Sequence, residues 1–567
     1  MKKILGLILA MAVVLSLSTA ALAANSGSDY SDIPTGWSHD AVVAAIENGL
    51  LKGYDGKVNP RGFLTRAEMA AVIVRAFGGT KQADISAFKD VGTDKWYYGE
   101  MAVAVQMGIF EGDGTRLRPE DNITREQAAL VLARAFKLTD TGADLSVFQD
   151  EDDISSWARD GVAAIVKAGY MRGDGKNLNP KNNISREEFA QLMYNLVSGY
   201  VTQAGTLNVV PAGNLVIRVP GVTLENVTIN GDIIVGDGVG SGDFTLKNCT
   251  LNGRLVVRGG GADTIYIINT GIGGSVIISR RDGAVHVSVD GGSEVKKIVV
   301  DDGSDKVIIS GEFGDLAINC DVDVELRRAA VDNVTISAAG AGLLVDKDST
   351  VSDIDVAASG VQVNVAGKVT LVHVKAGAAG TVIAGSGRVE NVTAEAGSSD
   401  TRVDTAGTIV VNNSSTPVKT NKGSDIAPGT TGKTGEQDAG PAAYYKLTLS
   451  ISDGVKSITR STASTTLSGS TPFYAQAVML LEENRAALRD AFPDAAARDI
   501  LDAGIAAYQG SDADWESFVD LYGDVIEEHD SDLLNRDATL AQLIGTHVFT
   551  YNVNSNTYTV TITISAI

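Results

Sequence analysis

Two cysteines, Cys249 and Cys320, are all that the 567 residues contain. A disulfide framework is therefore excluded, although one bridge between these two stays open. Histidine is nearly as scarce. His39, His286, His373, His529 and His547 stand far apart, with no His-Glu-x-x-His pair and no cysteine–histidine spacing suited to zinc. Nucleophile elbow, P-loop and dinucleotide fingerprint are equally missing, so no cofactor is expected. The turns Asp113-Gly114 and Asp174-Gly175 lack the twelve-position loop of an EF-hand, which leaves metal binding undecided. Positive charge is in deficit, with 47 Lys and Arg against 70 Asp and Glu. The resulting charge of -23 repels nucleic acid and anionic lipid. Beyond the N-terminus no stretch of eighteen apolar residues occurs, so no transmembrane anchor is expected.

The N-terminus does carry an apolar run. Lys2 and Lys3 precede Ile4 to Leu17, and Ala21-Leu22-Ala23 offers a small-x-small cleavage site. Residues 1–23 are read as a signal peptide, a retained anchor being the alternative, and the remainder as exported. Roughly 540 residues then remain, enough for three or four domains. Glycine is abundant, at 62 residues, but without a three-residue period, which excludes collagen and implies many tight turns.

An internal repeat fills the first part. Trp37, Trp96 and Trp157 are each followed after 12 residues by Gly49, Gly108 or Gly169, and after 16 by Gly53, Gly112 or Gly173. Pro60, Pro119 and Pro180 follow at 23, and Arg66, Arg125 and Arg186 at 29. Such register marks one supersecondary unit used three times. Each unit reads as two helices around a loop. The first starts near the tryptophan and ends at the first glycine. The second opens at Thr65-Arg66-Ala67-Glu68, Thr124-Arg125-Glu126-Gln127 or Ser185-Arg186-Glu187-Glu188, each a capping box with arginine at the first helical position.

On these residues the sequence resembles the S-layer homology family, whose repeats open with Asp and Trp and close with Thr-Arg-Ala-Glu. Asp32, Asp90 and Asp150 match the opening aspartates; only the first copy has the full closing motif, and all three keep the arginine. The resemblance assigns repeats to residues 29–84, 85–145 and 146–198. It implies a three-pronged, pseudo-threefold assembly that binds secondary cell-wall polysaccharide, often pyruvylated, in grooves between the prongs. A guanidinium can grip a pyruvyl carboxylate through two charge-assisted hydrogen bonds, and an indole offers a flat face to a sugar ring. Arg66, Arg125 and Arg186 are the candidates for the carboxylate, with Trp37, Trp96 and Trp157, Asp32, Asp90 and Asp150, and Gly53, Gly112 and Gly173 around them. The tryptophans have core packing as an alternative role, and the glycines positive φ or close backbone approach.

From about Leu207 to Val411 the period changes to short β-branched runs such as Ile233-Ile234-Val235 and Leu255-Val256-Val257. Asn226 and Asn248 recur 22 residues apart, and Val331, Val351, Leu371 and Val389 follow at 20, 20 and 18. A coil of this length resembles a right-handed parallel β-helix over residues 206–411, with about nine or ten rungs in a rod of about 45 Å. Asparagine at a corner tolerates the left-handed region and needs no ligand. Arg258, Arg280, Arg281, Asp301, Asp302, Asp321 and Asp323 raise the enzyme alternative, a wall-tethered polysaccharide lyase or glycoside hydrolase. Arg258, Arg280 and Asp301 are 22 and 21 residues apart, which also fits an exposed ladder of paired charges. The balance of this reading is against catalysis and for a spacer or adhesive surface.

Residues 412–441, almost devoid of apolar side chains, read as a flexible linker. Alternation at Tyr445, Leu447, Leu449 and Ile451 and again at Tyr558, Val560, Ile562 and Ile564, with helical patterns between, gives residues 442–567 as a small α+β domain. Its final run could lie centrally in a sheet or add to a partner's edge. A protein or glycan partner is expected for the β-helix or for this domain.

Overall fold

The structure, a computed structural model, describes residues 29–435 except 262–264, 304 and 422, and four strands in the C-terminal part. The signal-peptide reading and the C-terminal helical patterns lie outside the described residues. Among the described residues no helix is long and apolar enough to cross a membrane.

Among the described residues the N-terminal part has six α-helices: α1 (His39–Glu47), α2 (Arg66–Phe77), α3 (Tyr98–Gln106), α4 (Arg125–Ala135), α5 (Arg159–Lys167) and α6 (Arg186–Leu196). Thr65, Thr124 and Ser185 cap α2, α4 and α6 in reciprocal boxes with Glu68, Gln127 and Glu188. Gly49, Gly108 and Gly169 end the first helices at φ of 69° to 79°. The threefold relation is explicit in the backbone. Leu64 N–H donates to Ile184 C=O, Ile184 to Ile123, and Ile123 to Leu64, a closed ring around three buried side chains. Arg66, Arg125 and Arg186 likewise donate their N–H to Asp121, Asn182 and Gly62 of the next repeat. Helix-end donors that would otherwise need water are thus satisfied between prongs.

The chain passes from α6 straight into strand Gly199–Val201, which pairs in parallel with Leu215–Ile217. Sheet pairing therefore begins before residue 206. From there a parallel β-solenoid, consistent with the right-handed β-helix expected, runs rung upon rung to Ile409–Asn412. Inward aliphatic side chains make one continuous core. Asn226, Asn248 and Asn269 turn one corner at φ of 58°, 54° and 46°, and their amides bond to one another from rung to rung. Cys249 and Cys320 are both free thiols, so the bridge left open by the sequence is absent.

The helical part docks on the flank of the first rungs. Strands Leu215–Ile217, Ile233–Val235 and Leu255–Val257 are buried at every position, as is Val276–Arg280. Their outward residues Val216, Ile234, Val256 and Ile277 join the helical core, each burial contributing about 1.5–3 kcal/mol. Solenoid arginines cap helix C-termini, where carbonyls lack partners and the helix dipole is negative. Arg218 donates to Ala76 C=O of α2 and Asn48 C=O beyond α1; Arg258 to Met107 beyond α3; Arg254 to Phe136 and Lys137 beyond α4. At Gly236 the two parts come so close that a Cβ would sit 2.6 Å from Phe77 O.

The segment read as a flexible linker is instead ordered as far as residue 435. Thr430–Lys433 pairs antiparallel with Ile409–Asn412, and Val418 and Ile426 close the end of the core. Two apolar residues suffice for a cap, which a composition argument does not register. The four described strands beyond residue 437 belong to a unit of their own. Its described strands make an antiparallel sheet in the order Ser457–Ser461, Tyr445–Ser452, Asn556–Ala566, Gly545–Val553, so the final run is central.

Candidate functional site

Arg66, Arg125 and Arg186 each cross to the next repeat. Their Nε groups donate to Leu117, Leu178 and Val58 carbonyls at 2.8, 2.9 and 2.8 Å. What surrounds the rest of each guanidinium differs. Arg186, 8 % exposed, also bonds Glu68 at 2.9 Å and Lys52 C=O at 2.9 Å, so its three nitrogens are all engaged within the protein. Arg125 has a looser contact with Glu188, at 3.3 Å. At Arg66 the corresponding capping-box residue is Gln127, which is neutral. Among the described residues Arg66 forms no ion pair; it lies 5.4 Å from the Phe110 ring centroid and makes a long contact to Glu111 C=O at 3.4 Å. Burial pulls its pKa below the ordinary arginine value, and nearby Asp121 pulls it back. An arginine stays charged in either case.

Two of these arginines line grooves. Arg66, Phe110, Gln127, Arg134 and Trp157 line a groove of 260 Å³, and Arg125, Asp174, Lys181 and Glu188 line another of 620 Å³. Trp37, Trp96 and Trp157 are 65 %, 62 % and 55 % exposed, so none is core. Asp32, Asp90 and Asp150 use both carboxylate oxygens on consecutive backbone N–H groups, Val58 and Asn59, Leu117 and Arg118, and Leu178 and Asn179. Those carboxylates hold the loop that presents the groove. Gly53, Gly112 and Gly173 serve close approach: a Cβ would meet Lys57, Arg116 or Asn177 carbonyl oxygens at 2.3–2.4 Å. Asp113 and Asp174 accept hydrogen bonds within their own turns, which holds both carboxyls at about 2.

Most of the charges singled out in the solenoid are paired and enclosed instead of forming an exposed ladder. Arg258 is 2 % exposed, bonded to Asp237 at 2.8 Å and stacked 5.3 Å from Phe77. Arg280 is buried on Asp282 and Ala284 C=O. Asp301 and Asp302 pair with Lys137 of the helical part, at 2.9 and 3.8 Å, and Arg281 with Asp302 at 3.4 Å. Asp321 and Asp323 are exposed. Among the described residues no group of His, Cys, Asp and Glu is arranged to hold a metal ion.

The S-layer homology domain signature matches residues 28–70, 87–129 and 147–190. The chain is 33% identical over 38% of its length to the surface-layer 125 kDa protein of Lysinibacillus sphaericus, covering 19% of that protein. It is 32% identical over 30% to an amylopullulanase of Thermoanaerobacterium thermosulfurigenes and 31% over 30% to the exoglucanase XynX of Acetivibrio thermocellus, covering 9% and 16% of them. The chain thus spans less than a fifth of each of these relatives. Relatives named as enzymes match it about as closely as the surface-layer protein, which corrects the sequence reading's balance against catalysis. The N-terminal part of this bacterial cell-surface protein consists of three S-layer homology domains, docked on a parallel β-solenoid.

Proposed function

We propose that the helical trimer holds the protein to an anionic secondary cell-wall polysaccharide, chiefly through the groove of Arg66 and Trp157. The observation that carries this reading is the meeting, in one 260 Å³ groove, of an arginine that forms no ion pair among the described residues and a half-exposed indole. A sugar carboxylate can pair with the guanidinium while the ring stacks on the indole. Arg125 offers a second, partly neutralised position. Arg186 is closed by Glu68 and serves the fold. The test is cosedimentation of the full chain with native wall sacculi and with sacculi stripped of polysaccharide. Binding to the native material alone supports the reading; equal behaviour with both, or none with either, sinks it.

A second reading is favoured by the relatives named as an amylopullulanase and an exoglucanase: the chain is a wall-tethered polysaccharide lyase or glycoside hydrolase. Arg258, Asp301 and Asp302 are committed to the docking seam and Arg280 to Asp282 within the solenoid, so other carboxylates would act as acid and base. Release of reducing or unsaturated ends from a glycan panel tests this, and an inert full chain across that panel speaks against it.

A further inference from the structure

We infer that the solenoid lies along the wall surface instead of standing off it as a spacer, an inference that rests on wall binding by the helical trimer. The docking seam receives the C-terminal ends of the helices. Asn48, Ala76, Met107, Phe136 and Leu196 carbonyls follow or end α1, α2, α3, α4 and α6, and all accept from solenoid side chains. Tyr170, just past α5, accepts from Asn214 as well. The N-termini of α2, α4 and α6, with Arg66, Arg125 and Arg186, therefore lie at the opposite pole, about 17 Å away for helices of this length.

The solenoid's side of the seam is a stripe, not an end. Val216, Ile234, Val256 and Ile277 are partners on successive rungs, and Asn214, Arg218, Arg254, Arg258 and Arg281 flank them in the same order. A stripe that climbs the rungs lies on the flank, so the trimer's axis crosses the solenoid axis. Two residues, Val197 and Ser198, join α6 to the first strand, and the seam is sealed by buried Arg258, which bonds Met107 C=O and stacks on Phe77. That leaves no hinge between the parts. Because the solenoid covers one pole, wall polymer reaches the grooves from the other, and the rod then runs parallel to the surface.

Thr206 and Arg402 are exposed near opposite ends of the rod. Ten successive parallel pairings separate their strands, or roughly 48 Å at about 4.8 Å per rung. The full chain, carrying one dye on a bioorthogonal side chain at position 206 or 402, is adsorbed on a gold-backed film of wall polysaccharide. Metal-induced energy transfer then gives the height of each dye. Heights that agree within about 15 Å support a flat rod. A difference above about 25 Å overturns the inference while leaving wall binding intact, and failure to adsorb on the coated film, as on a bare one, overturns both.

Discussion

Replacing Arg258 by alanine removes the most enclosed cation of the seam. Its Nε and Nη2 grip Asp237 at 2.8 and 3.3 Å, and Nη2 also caps Met107 C=O at 2.8 Å. Burial pushes the Asp237 carboxyl above its ordinary pKa, while Arg258 draws it down. Without the arginine a buried carboxylate and a helix-end carbonyl lose their partners, a loss of about 3–5 kcal/mol for breaking one side of a buried pair. For a helical part of this size each kcal/mol lowers Tm by about 2–4 °C, so scanning calorimetry of the full chain should show the helical transition about 6–20 °C lower. The sign of the pH dependence follows. With its pKa raised further, Asp237 is destabilising where it is ionised, and the deficit shrinks as pH falls and the carboxyl takes up a proton. Changing Asp237→Asn in the same chain should restore much of the stability, because no buried charge is then left alone. A shift under 2 °C, or a double variant no better than the single, would refute the account of the seam.

Asn248→Val should cost about 1–2 kcal/mol in urea unfolding, because its φ of 54° is unfavourable for a β-branched residue, whereas Asn248→Gly should lose less; equal losses would argue against a backbone role. Burial, with Asp302 and Asp301 adding to it, pushes the Cys320 thiol up to about 12, so iodoacetamide at pH 8 should leave the native chain unmodified and label both cysteines in urea. Asp113 and Asp174 have folded pKa values of about 2, below their ordinary 3.8. Their turns are therefore stabilised above about pH 4 and lose that contribution as pH falls toward 2, and carboxyl-carbon NMR titration should give midpoints near 2 instead of 3.8.

The three helical repeats were legible because capping boxes and glycine stops are local signals, repeated in register. The corners of the solenoid were legible for the same reason, through asparagine at a fixed period. The seam leaves only a fainter signal in the sequence. Leu215-Val216-Ile217, Ile233-Ile234-Val235 and Leu255-Val256-Val257 are apolar at three successive positions, whereas Val222-Thr223-Leu224-Glu225 and Phe244-Thr245-Leu246-Lys247 alternate. Unbroken apolar runs mean that both faces of a strand are covered. The inequality of the arginines was also hidden, since it depends on whether a neighbouring prong brings Glu68, Glu188 or Gln127 to the guanidinium. Asp32, Asp90 and Asp150 looked like ligand contacts, and only the fold shows each spanning two backbone N–H groups some 26–29 residues on.

Titration calorimetry of a wall-polysaccharide fragment into the full chain tests the central claim most directly. Arg66→Ala and Trp157→Ala should each weaken binding at least tenfold, and Gln127→Glu should do the same by placing a competing carboxylate beside Arg66. Glu188→Gln should leave this site unchanged or strengthen binding at Arg125. Circular dichroism should be unaltered in all four. Wild-type affinity retained by both Arg66→Ala and Gln127→Glu would contradict the assignment of the Arg66 groove as the polysaccharide site.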